Sequence, residues 1–297
     1  MFYKKTIKPF LKIVGCASKC WWEKDPFKQS AVIAYYAIFA MPGLILIVIS
    51  FGTLFFKHDV ITGQLYAQVS SIMGVETARQ VQDMIISVSK TNKSIIATII
   101  GLITVLLGAT GVFVQLQKAL NVIWGVKAKP RRSIFSLIRT RIFSFGLILS
   151  IGFLMLISLT ITAIIAVMGD WVLNHWPDIM LIVFHVLNFI ISFGVVMLLF
   201  ALLFKILPDA EIRWKHIWLG SILTALLFVL GKTAIGLVLT KTNPASAYGA
   251  AGSIVLILLW VSYSSIIFFY GAEFTRAYAD HLTGKVPATD VAVATLP

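Results

Sequence analysis

The chain has 297 residues, of which 59% are hydrophobic and only 12% are charged, and its formal net charge is +13. A soluble globular domain carries about 25% charged residues, so this composition excludes a water-soluble protein with an ordinary surface. Membrane-spanning helices need about 20 apolar residues each, and six of them leave no room for a separate soluble catalytic domain.

The first predicted element is a basic amphipathic segment over residues 1–29. Aromatic and aliphatic residues alternate there with seven lysines, a pattern typical of a helix that lies in the membrane interface. Cys16 and Cys20 are the two cysteines of the chain. A pair four residues apart without histidine neighbours predicts free thiols. The apolar run that follows is too long for a signal peptide and is expected to remain as an anchor.

Six apolar stretches follow, each long enough to cross a bilayer. They cover residues 30–56, 94–114, 142–168, 179–207, 217–239 and 249–271. Pro42 lies near the middle of the first span, where the missing backbone hydrogen bond predicts a kink. Apolar residues at helical spacing over residues 57–93 predict amphipathic helices at the outer surface. The sequence thus predicts a membrane domain over residues 30–279 and a flexible tail over residues 280–297.

The basic residues fall almost wholly on one side of this predicted bundle. Of the 25 lysines and arginines, 19 lie on one side, five lie on the other, and Lys232 lies within the fifth span. By the positive-inside rule, both termini are expected in the cytoplasm. The net positive charge therefore needs no nucleic-acid partner, and these residues are expected to contact anionic lipid headgroups.

The histidines and carboxylates do not form a catalytic pattern. Metal-dependent hydrolysis needs clustered His, Asp or Glu side chains that hold metal ions and activate water. The five histidines do not pair at ligand spacing with one another or with a carboxylate; they are His58, His175, His185, His216 and His281. The sequence therefore predicts that the protein is not an enzyme and that it uses no metal or cofactor.

Polar residues inside the spans are the strongest functional signal. Lys232 lies roughly 10 Å below the outer end of the fifth span, and a buried ammonium is costly unless it faces a cavity or reaches the interface. His185, Asn188 and Ser192 share one stripe of the fourth span, at a similar predicted depth. This set predicts a pocket for an anionic solute such as a phosphate or carboxylate. The alternative is that Lys232 extends to the interface while the stripe makes ordinary interhelical hydrogen bonds.

Two further features concern the inner half of the predicted bundle. Gln115 ends a stripe of small residues on the second span, which favours close helix packing over a pore-lining face. The other members of that stripe are Gly101, Thr104, Gly108 and Gly111. Glu273 ends the sixth span with Arg276 three residues later, which predicts local charge compensation. A gating or coupling role for Glu273, Gln115 and Pro42 is the alternative interpretation.

Several segments resemble the YihY/BrkB family, whose members were once described as ribonuclease BN. These segments are Ala34–Pro42, Gly108–Trp124, Leu207–Asp209 and Tyr248–Glu273. The resemblance extends over about residues 28–280, with glycine and polar positions in matching order. It implies a six-helix bacterial inner-membrane protein without a soluble catalytic domain. It also implies a link to serum resistance and to export of small solutes, and it does not imply ribonuclease activity.

The sequence therefore predicts an all-α membrane protein with six transmembrane helices, both termini inside, and interfacial amphipathic helices. Its leading predicted function is transport or export of a small anionic solute through a polar pocket in the outer half of the bundle. The alternative is an envelope factor that handles lipid or docks periplasmic partners through residues 57–93. A homo-oligomer is compatible with both interpretations.

Overall fold

The computed structural model describes residues 3–52, 95–129, 179–242, 252–284, 286–289 and 292–294, together with isolated positions between residues 62 and 86. These residues form six long helices and two short strands. They are α1 (Tyr3–Glu23), α2 (Pro26–Gly52), α3 (Ile95–Trp124), β1 (Val126–Ala128), α4 (Ile179–Ile206), α5 (Trp214–Thr242), α6 (Gly252–Thr283) and β2 (Ala292–Ala294). Every described position between residues 62 and 86 is also helical. The span predicted at 142–168 lies outside the described residues.

The long helices meet at one end of the bundle, which we call the basic end. Lys24, between α1 and α2, donates a hydrogen bond to the carbonyl oxygen of Ile123 near the end of α3, at 3.3 Å. Asn121, also near the end of α3, bonds to Asp209 in the turn between α4 and α5. Helices α3, α4 and α6 therefore end at the basic end, where α2 and α5 begin. The opposite end is called the far end.

Three stretches of the described helices are apolar and long enough to cross a membrane. They are Phe189–Ile206 in α4, Trp214–Ile235 in α5 and Ile254–Thr283 in α6. They overlap the fourth, fifth and sixth predicted spans, and α2 and α3 cover most of the first and second. The chain is thus a helical, multi-pass membrane protein, while the number of six spans and their orientation stay predictions.

Helix α6 lies at the centre of the described bundle. It packs against α1, α2, α3 and α5, and α4 packs against α5. Aromatic rings form much of the contact between these helices: Phe204 of α4 and Phe268 of α6 stack with ring centroids 5.2 Å apart. Phe200 of α4 lies 6.2 Å from Phe268. Close packing of such large side chains holds the helices together where solvent cannot drive them together.

Helix α3 continues ten residues beyond the predicted second span. The polar residues from Gln115 to Arg132 predict a cytoplasmic segment after this span, with Trp124 as an interfacial anchor. Instead, Ala119 and Leu120 are buried, and Trp124 is only 5% exposed and belongs to the core. The helix ends at Gly125, whose φ of 63° is the left-handed conformation that glycine adopts at helix ends. Two of the polar residues in this stretch, Gln117 and Asn121, bond to Asp209 in the α4–α5 turn.

Helix α1 packs along α6 at the basic end. Ile13 and Ala17, one turn apart, are buried against Phe274 of α6. Leu11 and Trp22 are 61% and 65% exposed. Within the segment predicted over residues 1–29, Tyr3–Glu23 is therefore a helix with one face on the bundle, and its position in the membrane interface stays a prediction.

The residues after α6 differ from the flexible tail that the sequence predicts. Strands β1 and β2 pair antiparallel, with Val126 opposite Ala294. The backbone N–H of Glu211 donates to the carbonyl of Pro287 at 3.0 Å, and that of Thr289 donates to Asp209 at 3.1 Å. We call residues 286–289 and 292–294 the strap. Hydrogen bonds hold the strap in place. Its partners are backbone groups of β1, which follows α3, and of the α4–α5 turn.

Candidate functional site

The interface of α5 and α6 is built from two glycine–threonine contacts that mirror each other. A Cβ on Gly220 of α5 would overlap the side chain of Thr275, and a Cβ on Gly271 of α6 would overlap that of Thr224. Each threonine donates its hydroxyl to a glycine carbonyl of its own helix: Thr224 to Gly220 at 2.6 Å and Thr275 to Gly271 at 2.7 Å. The two backbones can therefore approach closely without leaving a buried hydroxyl unpaired.

A third close contact lies at Gly231, the residue before Lys232. A Cβ on Gly231 would overlap the hydroxyl of Tyr263, so this side chain of α6 lies directly over α5 at that turn. Within the described residues, the Tyr263 hydroxyl makes no hydrogen bond. Sequence reasoning missed Tyr263, and the only signal for it was a glycine adjacent to the intramembrane lysine.

Lys232 continues a buried stripe of α5. Ser221 and Ala225 are fully buried, and Phe228 packs against the core. One turn beyond Phe228, Lys232 is half-buried. In the described part of the chain its ammonium has neither a hydrogen bond nor an ion pair. The cation therefore lies on the bundle-facing side of α5 without a matching carboxylate among these residues.

An aromatic layer closes the basic-end side of this position. The ring of Phe228 lies 5.7 Å from Phe200 of α4 and 6.0 Å from Trp260 of α6. The three rings join the helices that flank Lys232. An aromatic layer is a poor environment for an ion, so the basic-end side of Lys232 is unfavourable for a charged group.

The other three residues predicted for this pocket lie on α4. The Phe200–Phe228 contact brings α4 and α5 together one turn before Lys232. Beyond Phe200, Ser192, Asn188 and His185 follow at successive turns of α4 toward the far end. Ser192 is exposed, and the side chains of His185 and Asn188 lie outside the described residues. A shared pocket with Lys232 therefore stays a prediction.

Glu273 pairs with a different cation from the one predicted. Its carboxylate is 2% exposed and lies 2.5 Å from the ammonium of Lys24. Arg276 donates to the carbonyl oxygen of Ile123 at 2.6 Å and forms an ion pair with Asp280 at 3.4 Å. The direct ion pair of Glu273 is therefore with Lys24, which the local spacing does not predict, because the segment between α1 and α2 brings Lys24 close.

Comparison with known proteins identifies the family. The family model described as "Virulence factor BrkB" matches residues 17–293. The chain belongs to the BrkB family. A "UPF0761 membrane protein" of Saccharophagus degradans is 30% identical over 288 residues, which are 93% of this chain and 63% of that protein. "UPF0761 membrane protein MS0032" of Mannheimia succiniciproducens is 24% identical over 93% of both chains.

Other relatives of the BrkB family are longer than this chain. The matched part covers 51% of the "UPF0761 membrane protein" of Verminephrobacter eiseniae, at 27% identity over 76% of this chain. The chain thus spans about half to two thirds of the length of these first relatives, MS0032 excepted. No solved structure matches the chain. The printed names indicate membrane proteins and state no enzymatic activity.

Two of the segments by which the sequence resembles the BrkB family meet at the basic end. The carboxylate of Asp209 accepts hydrogen bonds from Asn121 at 2.8 Å and Gln117 at 3.3 Å. The backbone N–H of Asp209 donates to the Asn121 side chain at 2.8 Å. Thr289 of the strap donates its hydroxyl to the Asp209 carbonyl at 3.0 Å. These residues act as a joint between α3, the α4–α5 turn and the strap.

The remaining predicted gating residues lie on α2 and α3. A Cβ on Gly111 would overlap the ring of Tyr36 in α2, which supports close packing at that part of the small-residue stripe. Gln115 is half-buried one turn further along α3. Pro42 lies within α2, and its side chain is outside the described residues. Among the residues that the structure describes, no group of three His, Cys, Asp or Glu is arranged to hold a metal.

Proposed function

We propose that the protein is a transporter that carries a small anionic solute across the bacterial inner membrane. The observation that carries this proposal is Lys232, a half-buried cation on the bundle-facing stripe of α5 with no carboxylate partner among the described residues. A buried charge without a partner is costly. A transient anion from solution would lower that cost, and a fixed carboxylate would prevent the anion from binding.

The proposed binding position extends from Lys232 toward the far end. Tyr263 would offer a hydroxyl donor at the turn of Gly231, and a phosphate or carboxylate would accept hydrogen bonds from both side chains. Charge-assisted hydrogen bonds of this kind contribute about 1.5–3 kcal/mol each. Ser192, Asn188 and His185 would then line the route between this position and the far end, because they lie at successive turns of α4.

The basic end would be closed in this state. The buried pair of Lys24 and Glu273 joins the α1–α2 segment to α6, and opening of an inner path there would require the pair to separate. Protonation of Glu273 would weaken the pair, which gives a means of coupling to a proton gradient. Gln115 on α3 and the kink expected at Pro42 in α2 would accommodate the movement.

The orientation follows from charge. Lysines and arginines gather where α1, α3, α4 and α6 end, and the positive-inside rule assigns such an end to the cytoplasm. Anionic headgroups of the inner leaflet would contact these residues, each by about 1 kcal/mol. Both ends of the chain would then be cytoplasmic.

Efflux from proteoliposomes tests the proposal. Vesicles loaded with labelled organophosphates or carboxylates are compared for the wild type, Lys232→Gln and Lys232→Arg. Loss of a charge-assisted bond predicts at least about a tenfold slower efflux for Lys232→Gln. Lys232→Arg keeps the charge and should retain most of the rate, and Tyr263→Phe should fall between these two.

Equal efflux by the wild type and Lys232→Gln would remove Lys232 from the proposed site. Absence of efflux for every anion tested would favour the alternative, an envelope factor that handles lipid or docks a periplasmic partner. Circular dichroism and unfolding temperature of each variant show whether a lost rate reflects a lost fold.

A further inference from the structure

A cavity of about 800 Å³ lies at the basic end, between the α4–α5 turn and the strap. Its lining includes Lys205 at the end of α4, Arg213 before α5, and His216 in the first turn of α5. Thr289 of the strap closes another side. His216 is about 24 Å along α5 from Lys232. The cavity is therefore separate from the proposed transport site, and the inference below does not depend on it.

His216 is the unusual residue of this cavity. Its side chain is only 1% exposed, yet neither ring nitrogen has a hydrogen-bond partner. On one side the ring of Tyr278 packs against it, with centroids 6.1 Å apart, and a phenyl ring face offers no strong acceptor. An unpaired buried polar group costs about 1–3 kcal/mol. Since His216 lines the cavity, a bound molecule is the available source of a partner.

The cavity lining offers hydrogen-bond donors that the rest of the described chain does not use. Lys205 uses one donor on the carbonyl of Ile212 at 2.6 Å, which leaves two further donors. The side chain of Arg213 is exposed and makes no hydrogen bond or ion pair with any described residue. Two carboxylates also line the cavity and balance the two cations. Of these, Asp209 already accepts from two amide side chains, so Glu211 is the carboxylate that competes for the two cations.

The start of α5 adds positive electrostatic potential at the cavity. The first N–H groups of a helix have no carbonyl partner within it, and the helix dipole places partial positive charge there. Helix N-termini with nearby basic side chains are common phosphate sites. At this terminus, the backbone N–H of His216 donates to the carbonyl of Arg213 at 3.0 Å, and the buried imidazole of His216 lies in the same turn as the first N–H groups of α5.

We propose that this cavity binds a phosphate group, with Arg213 and Lys205 as its cationic ligands and His216 as a buried hydrogen-bond donor. The phosphate can belong to a phospholipid headgroup or to a soluble compound. Trp214 and Trp218 beside the cavity are 44% and 39% exposed, and exposed tryptophans of membrane proteins lie at the level of the headgroups. A phosphate at that level is within reach from either the lipid or the aqueous side.

Two binding measurements on the full-length, purified protein separate these sources. Inorganic phosphate is titrated at constant ionic strength and binding is followed by calorimetry. Phosphatidylglycerol, with diacylglycerol as the lipid without phosphate, is added to delipidated protein and retention is followed by native mass spectrometry. Wild-type protein is compared with Arg213→Gln and His216→Phe. The control is Lys215→Gln, which removes an exposed cation that lies between these residues but does not line the cavity.

The proposal predicts that at least one phosphate probe binds the wild type and that diacylglycerol does not. Binding should weaken at least tenfold in Arg213→Gln and in His216→Phe and less than twofold in Lys215→Gln. Binding of phosphatidylglycerol alone assigns the source to lipid, and binding of inorganic phosphate assigns it to a soluble compound. An equal loss in Lys215→Gln, or no binding of either probe to the wild type, overturns the proposal. Arg213→Gln changes an exposed side chain, so the test stands even if His216→Phe does not fold.

Discussion

The basic end and the Lys232 turn of α5 differ in whether their charged side chains have partners. At the basic end, the carboxylates of Glu273 and Asp209 each have partners from a distant part of the chain. At the Lys232 turn, 16 residues along α5 from His216, the ammonium and the Tyr263 hydroxyl have no partner among the described residues. The first arrangement fixes the helices to one another, and the second leaves polar groups available to a solute.

The same helices contribute to both regions, so helix identity does not explain the difference. Close contact between α5 and α6 extends from Gly220 to Gly231. It keeps both backbones in place while Lys232 and the Tyr263 hydroxyl have no partner among the described residues. The proposed transport site needs both features. Rigid helices keep the ammonium from finding a partner within the protein, so a bound solute can lower the free energy of the unpaired charge.

The largest expected effect comes from breaking the buried ion pair of the basic end. Lys24→Met leaves the carboxylate of Glu273 buried without a partner, and loss of one member of a buried pair costs about 3–5 kcal/mol. Unfolding in detergent, followed by circular dichroism against denaturant, measures this loss. Lys24→Met combined with Glu273→Met removes both charges and should recover most of it.

The control for this pair is Lys19→Met in α1. Lys19 and Glu23 lie 4.0 Å apart, but their side chains are 79% and 60% exposed. An exposed pair contributes about 0–1 kcal/mol. A loss in Lys24→Met no larger than that in Lys19→Met would mean that the Glu273 pair does not hold the basic end together.

A smaller effect is expected at the glycines that join the two regions. Gly271→Ala places a methyl group against the side chain of Thr224, and such overpacking costs about 1–3 kcal/mol. The matched control is Gly194→Ala on α4, where a new Cβ would meet no atom within 4 Å. Alanine there should be neutral or stabilise the helix by up to about 1 kcal/mol. Equal stability of both variants, measured by unfolding, would contradict the close approach of α5 and α6.

The smallest expected effect concerns the two thiols of α1. Cys16 is exposed and Cys20 is partly buried, and burial raises the pKa of the Cys20 thiol, with Cys16 and Glu273 acting in the same direction. A raised pKa leaves less thiolate at pH 7–8, and the thiolate is the reactive form. Cys20 in Cys16→Ala should therefore react with a maleimide about three- to tenfold more slowly than Cys16 in Cys20→Ala.

The thiols also report orientation. A membrane-impermeant maleimide should label Cys16 only after spheroplasts are opened, if the basic end is cytoplasmic. Labelling of intact spheroplasts would reverse the proposed orientation. Faster labelling of Cys20 than of Cys16 would contradict the packing of α1 on α6.

Helix positions could be predicted from the sequence because lipid demands long apolar stretches whatever their neighbours. The fourth, fifth and sixth predicted spans overlap helices of the structure. Helix ends were harder. Residues Gln115 to Trp124 contain polar side chains that bond to other elements, so polarity was taken for exposure. The strap was missed for a related reason, since its partners lie about 80 and 170 residues away in the sequence.

The candidate sites depended on contacts that no local pattern contains. Lys232 stands out in any apolar helix, and its role as a binding residue stays a prediction. The close approach of Tyr263 to Gly231 follows only from the packing of α5 against α6. The choice of Lys24 over Arg276 as the partner of Glu273 likewise joins residues 249 positions apart. A single sequence does not report such pairings.

Such pairings also set an order of assembly. Strand β1 can pair only after residues 292–294 have been synthesised, about 165 residues later. At about 5–20 residues per second, synthesis of that length takes roughly ten to thirty seconds. Lys24 waits longer still for Glu273. During synthesis the apolar helices have entered the membrane while the basic end is incomplete. Its charged groups are then exposed to water and to any chaperone or protease at that surface, so the interval before closure is the stage at which this protein is most vulnerable.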